Sequence, residues 1–83
     1  QELPRRATAA PLTYHEKREL ARMEDVILAA EAELSALDAE LHQANQSADH
    51  GRLQRAFEQR EAAADRVDQL YARWEMLASR AEG

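Results

Sequence analysis

Three histidines and many carboxylates are the side chains in this sequence that could bind a metal or transfer protons. His15, His42 and His50 lie far apart along the chain, and none belongs to an H-E-x-x-H arrangement, in which two histidines one helical turn apart bind zinc. His42 and His50 flank a polar stretch, where a weak adventitious site is the minor alternative. With no cysteine, the chain has no thiolate ligand, cysteine nucleophile or disulfide. We therefore predict no metal site.

The carboxylates give no better case for catalysis. Glu24, Glu31 and Asp38 are spaced seven residues apart, which is typical of one solvated helix face. Catalysis by a carboxylate needs a concave pocket that excludes water and shifts its pKa, and a pair of helices offers none. The sequence also lacks a glycine-rich phosphate-binding loop. We predict that this chain has no catalytic residue and no cofactor, and is not itself an enzyme.

Clustered cations are the stronger candidate for a binding site. The formal charge of -5 argues against a protein that wraps nucleic acid with its whole surface. Lys and Arg are absent from residues 25–49, however, and concentrate before and after that stretch. Cations near the two ends of the chain are therefore our candidate phosphate-binding residues: Arg5, Arg6, Lys17, Arg18, Arg22, Arg73 and Arg80. The alternative is that these cations only balance neighbouring acids.

The elements that position these residues can be derived from capping and turn signals. Residues 1–12 have no hydrophobic period and contain both prolines, which predicts a flexible linker. Thr13 and Glu16 then form the T-x-x-E pattern of a capping box, so a helix should begin at Tyr14. The polar stretch of residues 46–51 predicts a turn. We expect helices at about 14–45 and 52–80.

Two apolar seams predict how the helices pack. Apolar residues alternate in steps of three and four, at Leu20, Met23, Ile27, Ala30, Leu34, Leu37, Leu41 and Ala44, and again at Leu53, Ala56, Ala63, Val67, Leu70, Trp74 and Leu77, with Arg60 as the charged member of the second seam. Two long helices joined by a short turn must lie antiparallel. The predicted fold over residues 13–83 is therefore all-α, an antiparallel two-helix coiled-coil hairpin.

The register follows from pairing large with small side chains across the seam. Setting Leu41 against Ala56 and Leu34 against Ala63 pairs large with small in most layers, and the same register places Met23 against Trp74. Sliding by one heptad would instead leave a gap between Ala30 and Arg60. The chosen register also predicts several polar and apolar contacts outside the seam. These are an Arg60 guanidinium near Asp38, ion pairs of Glu33 with Arg66 and of Glu19 with Arg80, and a stripe of Phe57, Ala64, Tyr71 and Ala78 that shields the core or meets a partner.

Both ends of the hairpin resemble a known family. The run LTYHEKREL at residues 12–20 is similar to an L-[ST]-Y-x-E-x-x-E-L pattern, and LYARWEML at residues 70–77 is similar to L-Y-x-R-W-E-x-L. On these motifs the sequence resembles the C-terminal coiled-coil domain of Uup-type ABC-F proteins, duplicated ATP-binding-cassette ATPases that do not transport. The resemblance covers residues 12 to about 80.

The resemblance implies an accessory domain that supports a parent ATPase. ATP and Mg²⁺ would bind in domains of the parent that lie outside this chain, and the hairpin would bind DNA or RNA, the ribosome or its own ATP-binding domains. A protein-interaction or dimerisation coiled coil with no nucleic-acid role is the alternative. No apolar run approaches the roughly 20 residues of a membrane span, and we expect a cytoplasmic location with no membrane partner. Because the chain starts at Gln1, we also expect it to be part of a longer protein.

Overall fold

The computed structural model describes residues 11–82 and contains two α-helices and no strand in that range. Helix α1 spans Tyr14–Gln46 and helix α2 spans His50–Glu82, with 33 residues each. The helices run antiparallel and pack along their whole length, in a body measuring 59 × 27 × 15 Å. The predicted all-α hairpin is confirmed. We refer to the end that holds Tyr14 and Glu82 as the open end, and to the opposite end as the tip.

Helix α1 starts with a complete capping box. The Thr13 hydroxyl accepts a hydrogen bond from the Glu16 amide (3.1 Å), and a Glu16 carboxylate oxygen accepts one from the Thr13 amide (2.9 Å). Each bond satisfies a backbone donor that the helix itself leaves unpaired. The helix therefore begins at Tyr14, the residue that the T-x-x-E pattern indicates.

The turn at the tip is shorter than predicted, covering residues 47–49 where the sequence suggested 46–51. Ser47 ends α1, and its hydroxyl donates to the carbonyl of Ala44 (2.7 Å). An oxygen of the Asp49 side chain then accepts from the amide of Arg52 (3.0 Å). This N-cap explains why α2 starts at His50, two residues earlier than expected.

The hydrophobic core is thickest near the open end. Met23, Ile27 and Leu77 form its centre, where Leu77 is fully buried, and Leu12, Leu20 and Leu70 pack around them. Toward the tip the buried residues are small, with Ala44 and Ala56 lying between the helices. The remaining members of the predicted seams are half-buried leucines at Leu34, Leu37, Leu41 and Leu53, together with buried Ala30, Ala63 and Val67.

Two seam residues illustrate how little room a pair of helices provides. Trp74 remains 39% exposed and lines a surface depression with Leu20 and Ile27 of α1, so the facing helix covers only part of its ring. The indole is too large to be covered by one facing helix, and it lies over the edge of the seam. Arg60 is half-buried, and its Nε donates to an oxygen of Asp38 (2.7 Å), the pairing that the sequence predicted.

Polar contacts between the helices follow the predicted register with two corrections. Arg52 pairs with Glu40 near the tip (2.8 Å), and the Tyr71 hydroxyl donates to Glu31 (2.6 Å) nearer the open end. The predicted pair of Glu19 with Arg80 is wrong. Glu19 binds Arg73, and Arg80 binds Glu16, which the capping box holds opposite the end of α2. Glu33 and Arg66 line one shallow depression, but no ion pair joins them. Within residues 11–82, neither helix combines the length and apolar character of a membrane span.

A substitution at Ala56 tests whether the small residues near the tip set the helix separation. Ala56 is 2% exposed, so Ala56→Leu adds three carbons where no space exists and should destabilise the hairpin by about 1–3 kcal/mol. The same substitution at exposed Ala72 is the control, since alanine and leucine have similar helix propensities. Chemical denaturation followed by circular dichroism measures both. Equal stabilities would contradict the assigned core.

Candidate functional site

The first turns of α1 carry the most exposed group of cations near the open end. Tyr14, Arg18 and Arg22 follow one another at four-residue intervals, so they share one face of the helix, and Lys17 lies on the adjoining flank, next to Leu20 and Ala21. The Arg18 guanidinium lies 5.8 Å from the centre of the Tyr14 ring and donates to its hydroxyl at 3.2 Å. We call these four residues the basic ridge. None of its three cations forms an ion pair within residues 11–82.

Arg73 is another predicted phosphate-binding residue, but its guanidinium already binds a carboxylate of α1. Its Nε and one terminal nitrogen donate to the two carboxylate oxygens of Glu19, at 2.8 and 2.7 Å. Both side chains are a little over a third exposed. Two parallel hydrogen bonds fix the guanidinium plane and neutralise its charge, so this arginine holds α1 to α2.

Arg80 has a similar role at the end of α2. It donates to both carboxylate oxygens of Glu16 (2.9 and 3.0 Å) and to the backbone carbonyl of Pro11 (3.1 Å). Glu16 in turn completes the capping box with Thr13. Arg80 therefore connects the segment before α1, the first turn of α1 and the last turn of α2. The sequence signalled the capping box, but it gave no sign that an arginine of the other helix would bind the same carboxylate.

These contacts shift the ionisation of the partners. The pKa of the Glu16 carboxyl lies below its ordinary value of 4.5, chiefly because the carboxylate accepts from the Thr13 amide and then because it binds Arg80. Hydrogen bonds from Arg73 lower the pKa of Glu19, and those from Arg52 lower the pKa of Glu40. Conversely, donation to Glu31 raises the pKa of the Tyr71 hydroxyl.

Of the other candidate residues considered in the sequence and described by the structure, only His15 lies next to the ridge. Arg5 and Arg6 lie outside the described residues. His15 packs edge-on against Tyr14, with ring centres 6.1 Å apart, and His42 contacts Gln46 one turn further along α1. His50 is the first residue of α2. Within residues 11–82 no group of three or more potential ligands could hold a metal ion.

Comparison with known protein families assigns this hairpin to a family of ABC protein domains. The model of the ABC transporter C-terminal domain family matches residues 11–79, which is most of the chain and nearly all of the described hairpin. The chain belongs to this family. The match confirms the resemblance that the two end motifs indicated, and it makes the hairpin an accessory domain of an ABC protein. No curated protein matched the chain, and no solved structure did.

The residues matched to the ABC transporter C-terminal domain coincide with the hairpin described above. The matched range starts at Pro11 and includes the capping box, all of α1 and α2 as far as Ser79. An accessory domain of two helices is consistent with the expectation that this chain is not itself an enzyme.

Acidification tests the role of Glu16 in the open end. A carboxylate with a lowered folded-state pKa contributes stability above its ordinary pKa of 4.5, and this stability is lost as the pH falls through the folded-state value. Glu16→Gln keeps a neutral acceptor for the Thr13 amide but removes the charge that binds Arg80. The variant should therefore melt at a lower temperature than the parent near pH 7, and the difference should shrink at about pH 3.

Glu58→Gln is the matched control, because Glu58 is exposed and its described hydrogen bond comes from Gln54 on the same helix. Its melting temperature should follow that of the parent at both pH values. A Glu16→Gln difference that stays constant with pH would contradict the assigned charge interaction.

Proposed function

We propose that this hairpin is the C-terminal accessory domain of an ABC-F ATPase and that it holds DNA or RNA, including ribosomal RNA, close to its parent. ATP and Mg²⁺ would act in the parent's nucleotide-binding domains, outside this chain. The basic ridge of Tyr14, Lys17, Arg18 and Arg22 makes the phosphate contacts. This is the reading that the family membership and the charge distribution support together.

The proposal depends on one observation: some cations of the open end already bind carboxylates, and others do not. Arg73 and Arg80 already bind carboxylates through paired hydrogen bonds, and a phosphate would have to displace those carboxylates to bind them. Lys17, Arg18 and Arg22 are exposed and form no ion pair within the described residues, so they can meet a phosphate without that loss. The proposed interface therefore rests on these three cations.

The acidic part of α1 limits where nucleic acid can lie. Residues 25–49 contain carboxylates and no Lys or Arg, so a phosphate backbone is repelled along this part of α1. Contact is confined to the open end. Arg5 and Arg6 belong to the same proposed interface, since they precede the open end by only a few residues. Tyr14 can add a hydrogen bond or a stacking surface beside the phosphates.

Salt dependence provides the first test of the ridge. If Lys17, Arg18 and Arg22 neutralise three phosphates, affinity for duplex DNA should fall roughly 40-fold between about 50 and 200 mM salt. Contributions from Arg5 and Arg6 would make the fall steeper. Fluorescence anisotropy of labelled DNA and RNA with the whole chain measures this slope. Binding that is absent or independent of salt would contradict a phosphate interface.

Charge reversal assigns the binding to residues. Arg18→Glu/Arg22→Glu should reduce affinity by at least tenfold, because it removes two phosphate contacts and adds repulsion. Arg55→Glu/Arg66→Glu is the matched control, with the same change in net charge on exposed positions of α2 outside the ridge. Equal losses in both variants would mean that net charge, rather than the ridge, controls binding. Circular dichroism verifies that both variants stay helical.

A further inference from the structure

An apolar groove with acidic rims runs along the opposite flank of the hairpin from Arg18. It has a volume of about 540 Å³ and lies between α1 and α2 near the open end. Its exposed large apolar side chains are Leu28, Tyr71 and Trp74, which are 59%, 40% and 39% accessible. Because Ala21 and Ala78 are small, the side chains that line the groove do not fill it. Three large apolar groups clustered on a surface are typical of a binding site for another molecule.

From Glu24 to Glu31 the rims of the groove are acidic on both helices, and the cation Lys17 lies beyond its open end, next to Leu20 and Ala21. Glu24 and Glu31 line it from α1. Asp68 and Glu75 are exposed and lie seven residues apart on α2, on the solvent side of Tyr71. The Glu31 carboxylate is held toward α2 by the Tyr71 hydroxyl at 2.6 Å. An occupant that buries apolar side chains here must therefore present cations at its edges.

We propose that this groove binds a basic amphipathic helix of a protein partner, with apolar residues on one face and Lys or Arg beside them. The length fits, because the lining residues from Leu20 to Glu31 cover about 16 Å of α1, or three helical turns of an occupant. Anchors at positions i, i+3 or i+4 and i+7 of the occupant would reach Trp74, Leu28 and Tyr71. Its cations would meet Glu24 and Glu31 on one side and Asp68 and Glu75 on the other.

Charge complementarity distinguishes this occupant from two others. Exposed aromatic rings can stack on nucleic-acid bases, but here four carboxylates would repel the phosphates that accompany the bases. A second copy of the hairpin docking through the same groove would bring two acidic rims together, which is unfavourable. This site therefore needs a partner of opposite charge, and it lies on the other flank from Arg18 and Arg22, with Lys17 where the two surfaces meet.

The groove contains its own reporter, since Trp74 is the only tryptophan in the chain. The probe is a synthetic peptide of about 12 residues, three helical turns, without tryptophan, with leucines at helical spacing and lysines flanking them. A matched peptide carries glutamate at every lysine position. With the whole chain, the basic peptide should shift Trp74 emission to shorter wavelength in a saturable, salt-sensitive manner. The acidic peptide should bind at least roughly tenfold more weakly.

Charge reversal on the rim locates the site. Glu24→Lys should weaken the basic peptide by roughly tenfold and strengthen the acidic one. Glu58→Lys makes the same change in net charge on an exposed position of α2 remote from the groove, and should leave both affinities unchanged. Because neither position belongs to the basic ridge, failure of this test would leave the nucleic-acid proposal intact.

Four results would overturn the proposal. Equal affinity for the two peptides would show an unselective apolar surface. A shift of Trp74 emission by single-stranded DNA that strengthens in Glu24→Lys would show a base-stacking site instead. Emission that changes with protein concentration would identify a second copy as the occupant. Finally, a shift caused by Arg5→Glu/Arg6→Glu without any peptide would show that the chain's own N-terminal segment fills the groove.

Discussion

The single seam between α1 and α2 is the interaction on which every other feature of the hairpin depends. With only two helices, each side chain faces one partner, so the helices approach closely only where large residues alternate with small ones. Buried alanines such as Ala30, Ala56 and Ala63 allow that approach opposite leucines and a valine. The resulting register places Arg73 beside Glu19 and Arg80 beside Glu16. A shift of one heptad would break both pairs and open gaps in the core.

Stability and binding surfaces are concentrated at the same end. The buried cluster of Met23, Ile27 and Leu77 lies there, and the contacts of Arg80 with Glu16 and Pro11 close it. The tip has only small buried residues, a three-residue turn and the pair of Arg52 with Glu40. The side chains of the basic ridge and of the groove thus stand on the best-packed part of the molecule, which holds them in place before any partner binds.

The hairpin separates its charges by flank as well as by end. The basic ridge attracts anions, whereas the groove around Trp74 is lined by carboxylates and attracts cations. In this ABC transporter C-terminal domain, a nucleic acid held by Arg18 and Arg22 and a basic helix in the groove would occupy different flanks and would meet only at Lys17. Such an arrangement suits a domain that links a parent protein to a larger assembly, as we propose here.

The sequence by itself determined what depends on neighbours along the chain. The capping box at Thr13, the two seams and the turn are local patterns, so they predicted the helices, their antiparallel packing and, through the end motifs, the family. The tertiary structure decided what depends on the rotation of one helix against the other. It paired Arg80 with Glu16 rather than with Glu19, and it paired Arg73 with Glu19. It also left Trp74 partly exposed at the edge of a groove. Carboxylates one turn apart are equivalent in sequence, and only the packed seam brings one of them within hydrogen-bonding distance of a given arginine.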